Sequence, residues 1–120
     1  MEIVLKRVYE PHEASDGFRA LVDRLWPRGL SKEKAALDAW DKELAPSSEL
    51  RTWFNHDPAK WAEFRQRYLE ELRGNAPAVE AFKGKLRGSK RVTLLYGARD
   101  EEHNQAVVLR EFLQAPAHGA

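Results

Sequence analysis

Two short stretches concentrate side chains that a protein core does not require. DRLWPRGL, Asp23 to Leu30, sets a carboxylate and two arginines, Arg24 and Arg28, around a Trp-Pro pair at the end of an apolar run. YGARDEEHN, Tyr96 to Asn104, leaves a second apolar run through Gly97 and reaches Arg99, Asp100, His103 and Asn104. Guanidinium groups are planar cations with several donors, matched to carboxylate and phosphate oxygens. Free N–H groups at a helix start favour the same ligands. The combination points to an anion such as a phosphate, a carboxylate or a nucleotide. Arg24, Arg28, Arg99 and Asn104 are the anion-binding candidates. His103 is the candidate for proton transfer, with Asp23 or Asp100 orienting a partner.

That expectation has a geometric condition. In open α/β sheets, ligands bind outside the carboxyl ends of the strands, so both apolar runs must be neighbouring parallel strands. Each residue also has a plainer alternative. Arg24 interrupts an apolar strand face and suits a buried ion pair with a carboxylate from another element. Arg28 and Arg99 suit an ordinary surface, His103 a solvated first turn, and His56, directly before Asp57, a packing contact at a helix start. No HExxH or paired-histidine spacing supports a metal site, and no GxSxG, phosphate loop or dinucleotide fingerprint is present.

The elements that must position these groups follow from periodicity. Ile3 to Tyr9 reads as a first strand, and Asp16-Gly17 as the turn after a loop. From Phe18 to Trp26 both alternating faces are mostly apolar, the pattern of a central strand covered on each side, with Pro27 as its end. Ser31 caps a short helix over Ala35 and Ala36, and AWDKELA has the residues of a third short strand. Ser47 caps SELRTWF; Asp57 and Pro58 open a helix carrying Trp61, Phe64, Tyr68 and Leu72; a third helix starts near Pro77 and ends at Gly88. Arg91 to Ala98 is a buried strand, and Asp100 is placed to cap the final helix. The tail APAHGA, residues 115–120, reads as frayed.

Composition narrows the classes. The chain has 120 residues, 42% hydrophobic and 32% charged, which suits one domain, expected over residues 3–114. It has no cysteine, so disulfides, thiolate metal sites and cysteine nucleophiles are excluded. The net charge is +1, with 10 basic against 11 acidic residues in the first half and 10 against 8 in the second, which argues against a nucleic-acid binder. KGKLRGSKR, Lys83 to Arg91, is the exception, with five basic residues and no acid. It lies at a helix end, where cations are favourable. Without a membrane-length apolar run or a signal pattern, a cytoplasmic location is expected.

The phrases KRVYEP, DGFRALVDRLWPRGLSKEKA, WDKELAPSSELRTWFNHDPAKWAEFRQRYLEEL and VTLLYGARDEEHNQAVVLREFL together resemble the YeaO-like family of small bacterial cytoplasmic proteins, a branch of a broader group of domains of unknown function. The resemblance covers nearly all of residues 3–113 and implies no established activity. It does imply a contrast. Larger members of the group carry a cysteine near the end of the last strand and a Cys-His-Arg cluster opening the next helix, whereas here Tyr96 ends the strand and Asn104, Gln105 and Ala106 open the helix. Close relatives have a histidine where this chain has Gln105. Arg24, Arg28, Asp100, His103 and Asn104 match the branch pattern.

The expected protein is therefore an α/β domain, a small and mainly parallel sheet of three to five strands flanked by helices. Its expected function is an anion-binding cleft at the strand ends, with catalysis on a phosphorylated or carboxylated small molecule as one form of it and no cofactor implied. The alternative is a non-enzymatic interaction or regulatory module using Lys83 to Arg91 and surplus aromatics such as Trp40 and Trp53.

Overall fold

A computed structural model describes residues 1–115; the tail over 116–120 lies outside the described residues. Four strands, β1 (Glu2–Arg7), β2 (Phe18–Leu21), β3 (Ala39–Trp40) and β4 (Arg91–Tyr96), form one parallel sheet in the order β1-β4-β2-β3. The expected α/β class and parallel sheet hold. β4 and β2 are the inner pair, in register Phe18↔Val92 to Leu21↔Leu95. That is why both read as apolar on each face: an inner parallel strand has no side open to water.

The helices are α1 (Lys32–Ala35), α2 (Ser48–Phe54), α3 (Trp61–Arg73), α4 (Ala76–Lys85) and α5 (Gln105–Gln114). One sheet face, carrying Ile3, Ala20, Val22, Val92, Leu94 and Tyr96, packs on apolar side chains of α2 to α5 such as Phe54, Tyr68, Phe82 and Leu109. The other carries Val8, Leu21 and Leu95 and is covered by Ala35 of α1 with the loop residues Trp26, Leu30, Leu37 and Trp40. Helical cover on both faces was expected; here loop aromatics do most of the work on one.

That second face also buries a polar cluster. Arg19 is 1% exposed and Asp16 6% exposed. Arg19 donates to Asp16 Oδ2 at 2.5 Å, to the Ala36 carbonyl at 3.0 Å and to the Ala35 carbonyl at 2.7 Å. Asp16 also takes Lys6 Nζ at 3.1 Å and the Glu13 N–H at 3.0 Å. Burial pushes the Asp16 carboxyl up, but the Glu13 N–H, Lys6 and Arg19 outweigh it and hold the pKa below the ordinary value. The charged residue compensated inside β2 is thus Arg19, not Arg24.

Several boundaries differ from those read off the sequence. β2 stops at Leu21 instead of Trp26, β3 has two residues, and α5 starts at Gln105 with Asn104 as its cap, whose side chain accepts from the Val107 N–H at 3.2 Å. Asp100 instead closes a turn, accepting the N–H groups of Glu102 at 2.9 Å and His103 at 3.0 Å. Ser31 and Ser47 cap as expected, accepting from Lys34 and Leu50. Asp57 caps a short 3-10 turn, Pro58–Lys60, that leads into α3.

Gly17 enters β2 with φ +67°, and a Cβ there would lie 2.3 Å from the Arg91 carbonyl oxygen. Gly17→Ala therefore forces both a backbone strain and a backbone clash, and is expected to cost about 2 kcal/mol of stability in urea unfolding.

Candidate functional site

The carboxyl ends of β2 and β4 lie side by side and open onto a cavity of about 260 Å³. Asp23, Arg24, Trp26 and Arg28 line it from the β2 side, and Gly97, His103, Asn104 and Gln105 from the β4 side. Tyr9 after β1, and Arg51, Phe54, His56 and Phe64 from α2, its exit and α3, complete the wall. The two stretches singled out in the sequence do share one hollow.

The DRLWPRGL loop is fastened residue by residue. The Val22 N–H continues the ladder to the Leu95 carbonyl at 3.0 Å. Asp23 then replaces a strand carbonyl: its Oδ2 accepts the Gly97 N–H at 2.9 Å, and its Oδ1 the Gln105 amide. The approach depends on Gly97, where a Cβ would meet Asp23 Oδ2 at 3.0 Å. Arg24 is spent on main chain, donating from Nε to the Pro46 carbonyl at 2.9 Å and from Nη2 to the Ala45 carbonyl at 3.2 Å. The Trp26 indole N–H reaches the Leu30 carbonyl at 2.7 Å, and its ring meets Trp40 edge-on at 5.3 Å. Trp40 in turn donates to the Asp23 carbonyl at 2.7 Å, and the Tyr9 hydroxyl to the Arg28 carbonyl at 2.8 Å.

Arg28 is consequently held by its backbone and open at its side chain. It is exposed, and among the described residues neither Arg28 nor Arg51 enters an ion pair. Arg51, one helical turn before Phe54 on α2, is likewise exposed. Arg99 is exposed and does not line the cavity.

Burial dominates Asp23. It pushes the carboxyl up to about 6, against the opposing pull of the Gly97 N–H, the Gln105 amide and the more distant Arg51. Asp100 moves the other way: the Glu102 N–H, then His103 by its side chain and its N–H, hold the carboxyl below the ordinary value. His103 Nδ1 lies 3.0 Å from Asp100 Oδ2. An ionised carboxylate only accepts, so Nδ1 carries the proton and a neutral His103 keeps Nε2 as a bare base. The ring also meets Trp61 edge-on at 5.2 Å.

The backbone donors of the strand-to-helix passage are largely taken by the protein's own groups. Asp23 occupies Gly97, Asp100 occupies Glu102 and His103, and Asn104 occupies Val107. Asn104 is buried, with its amide on the Asp100 carbonyl at 2.9 Å. Positive charge in the cavity thus comes from guanidinium groups rather than from the start of α5. Sequence reasoning missed Arg51 and Tyr9, and read His56 as packing. Its ring does lie 6.5 Å from that of Phe54, and the residue is also exposed on the cavity wall, at φ +55°.

Arg91, the last residue of the basic stretch, begins β4 at the end of the sheet away from the cavity. Arg91 pairs with Glu2 at 2.7 Å and Lys85 with Asp41 at 2.7 Å. Trp40 is part of the second core, and Trp53 packs on the first beneath Lys60 and Arg67. No helix among the described residues is long and apolar enough to cross a membrane.

By sequence the chain belongs to the DUF488-N3i family, described as the inactive DUF488-N3 subclade, which it matches over residues 2–119. It is 46% identical over 119 residues to the uncharacterised protein YeaO of Escherichia coli (strain K12), covering 96% of this chain and 99% of that one. It is also 42% identical over 107 residues, 89% of each chain, to the uncharacterised protein Rv3073c of Mycobacterium tuberculosis (strain H37Rv). The uncharacterised protein Mb3100c of Mycobacterium bovis matches to the same extent. No solved structure matches the chain.

Proposed function

We propose that the protein is a cytoplasmic binder of small organic anions, phosphates or carboxylates, in the cleft at the ends of β2 and β4. The observation that carries this reading is that Arg28 and Arg51 line one cavity without a carboxylate partner among the described residues. An open guanidinium next to apolar walls is a strong anion site, because low local dielectric strengthens its charge-assisted hydrogen bonds. Arg24 adds positive field although its donors are engaged. Arg99 stands outside the lining and Asn104 serves as a cap, so their part in binding is indirect.

Binding is favoured over turnover because the matching subclade is described as inactive. Asp23 and His103, the latter oriented by Asp100 from outside the lining, are the acid–base groups of the cleft, and any reaction of a bound ester would draw on them. Isothermal titration with inorganic phosphate and benzoate tests the binding reading. Saturable binding is expected, with Arg28→Ala and Arg51→Ala each weakening it about tenfold or more, the worth of a lost charge-assisted hydrogen bond. Unchanged affinity in both folded variants contradicts the reading.

A further inference from the structure

The cavity is larger than a bare anion needs and chemically divided. At about 260 Å³ it is many times the ~10–15 Å³ that a single water requires. Arg28 and Arg51 are exposed, whereas Asp23 is partly buried and held by the Gly97 N–H and the Gln105 amide. The same wall carries apolar side chains, Leu25, Trp26, Phe54 and Phe64. Leu25 is 59% exposed, an apolar side chain left uncovered at the rim.

The Asp23 carboxylate has no cation within salt-bridge distance among the described residues, and its two protein partners are neutral N–H donors. A partly buried carboxylate in that position repels an anion and gains from a further donor, above all a cationic one. The anionic and donor ends of a ligand are therefore sorted by the cavity itself.

We infer that the cleft takes an amphoteric small molecule, with its anionic group on Arg28 and Arg51, an apolar ring or chain against Leu25, Trp26 and Phe54, and an amino or amidine N–H on Asp23. This rests on the anion-binding reading and names its ligand class. A simple phosphate or a plain organic acid fills one end only.

The test uses matched probes that differ only in the donor: para-aminomethylbenzoate against para-methylbenzoate, and the corresponding pair of phenylphosphonates. Titrated calorimetrically, the aminomethyl member of a pair binds about tenfold or more tighter to the wild-type protein, the gain of one charge-assisted contact. In Asp23→Asn, which keeps an acceptor for Gly97, that preference falls to near unity while the methyl member binds no more weakly. Comparing the two pairs tells whether carboxylate or phosphonate is the preferred anion. Equal affinity within both pairs in the wild type, alongside binding of inorganic phosphate, overturns the amphoteric ligand and leaves the anion cleft standing. A preference that persists in folded Asp23→Asn also overturns it, and failure of every anion to bind overturns both.

Discussion

Arg19→Ala is expected to lower the free energy of unfolding by about 3–5 kcal/mol, because it leaves the Asp16 carboxylate buried with only Lys6 to balance it. The same change orphans the Ala35 and Ala36 carbonyls, which Arg19 caps at 2.7 and 3.0 Å. Asp16→Ala should cost a similar amount by stranding the guanidinium. The double variant Asp16→Ala with Arg19→Ala should cost clearly less than the two singles added, since neither charge is then left alone. Urea unfolding of the four proteins measures this. Full additivity would show that the pair does not act as a unit.

Asp23→Asn is expected to act in the opposite direction. The folded protein holds Asp23 near 6, against an ordinary value of 3.8, so between these values the folded state binds more protons than the unfolded chain. Stability contributed by the protonated form is thus full below about pH 4, declines as pH rises to about 6, and stays lost above. At about 1.4 kcal/mol per unit the cost of the ionised form reaches up to about 3 kcal/mol near pH 8. An asparagine there retains an oxygen for the Gly97 N–H and carries no charge. Its expected gain is about 1–3 kcal/mol near pH 8, shrinking to nothing near pH 4, as read from chemical denaturation across pH. A variant less stable than wild type near pH 8 would contradict the assignment of Asp23 as a strained group retained for binding.

The sense of that trade explains how much of the site could be read in the sequence. Both strand ends were legible because apolar runs on β2 and β4 stop at polar, glycine-containing turns, and inner parallel strands leave that mark. Their adjacency was not legible, since strand order depends on contacts between distant segments. The end of β2 was misplaced because Asp23 uses its side chain where a strand would use its carbonyl, and alternation carries no record of that substitution. Arg19 and Arg24 are both charges in one apolar run, yet the carboxylate that decides between them, Asp16, comes from a turn that periodicity does not describe. For α5, Asp100 and Asn104 are both good caps; the chain uses both, one for a turn and one for the helix. Arg51 and His56 belong to a helix and its exit, far along the chain from either strand end. Only the fold brings them to the cavity, so no local signal marks them.

The anion cleft itself is tested most directly by following backbone amide resonances of the wild-type protein during titration with inorganic phosphate. Saturable shifts concentrated at Arg28, Arg51, Gly97 and His103 are expected, and their loss in a folded Arg28→Ala and Arg51→Ala double variant. Shifts that gather instead at Lys83 to Arg91, or that never saturate, would contradict it.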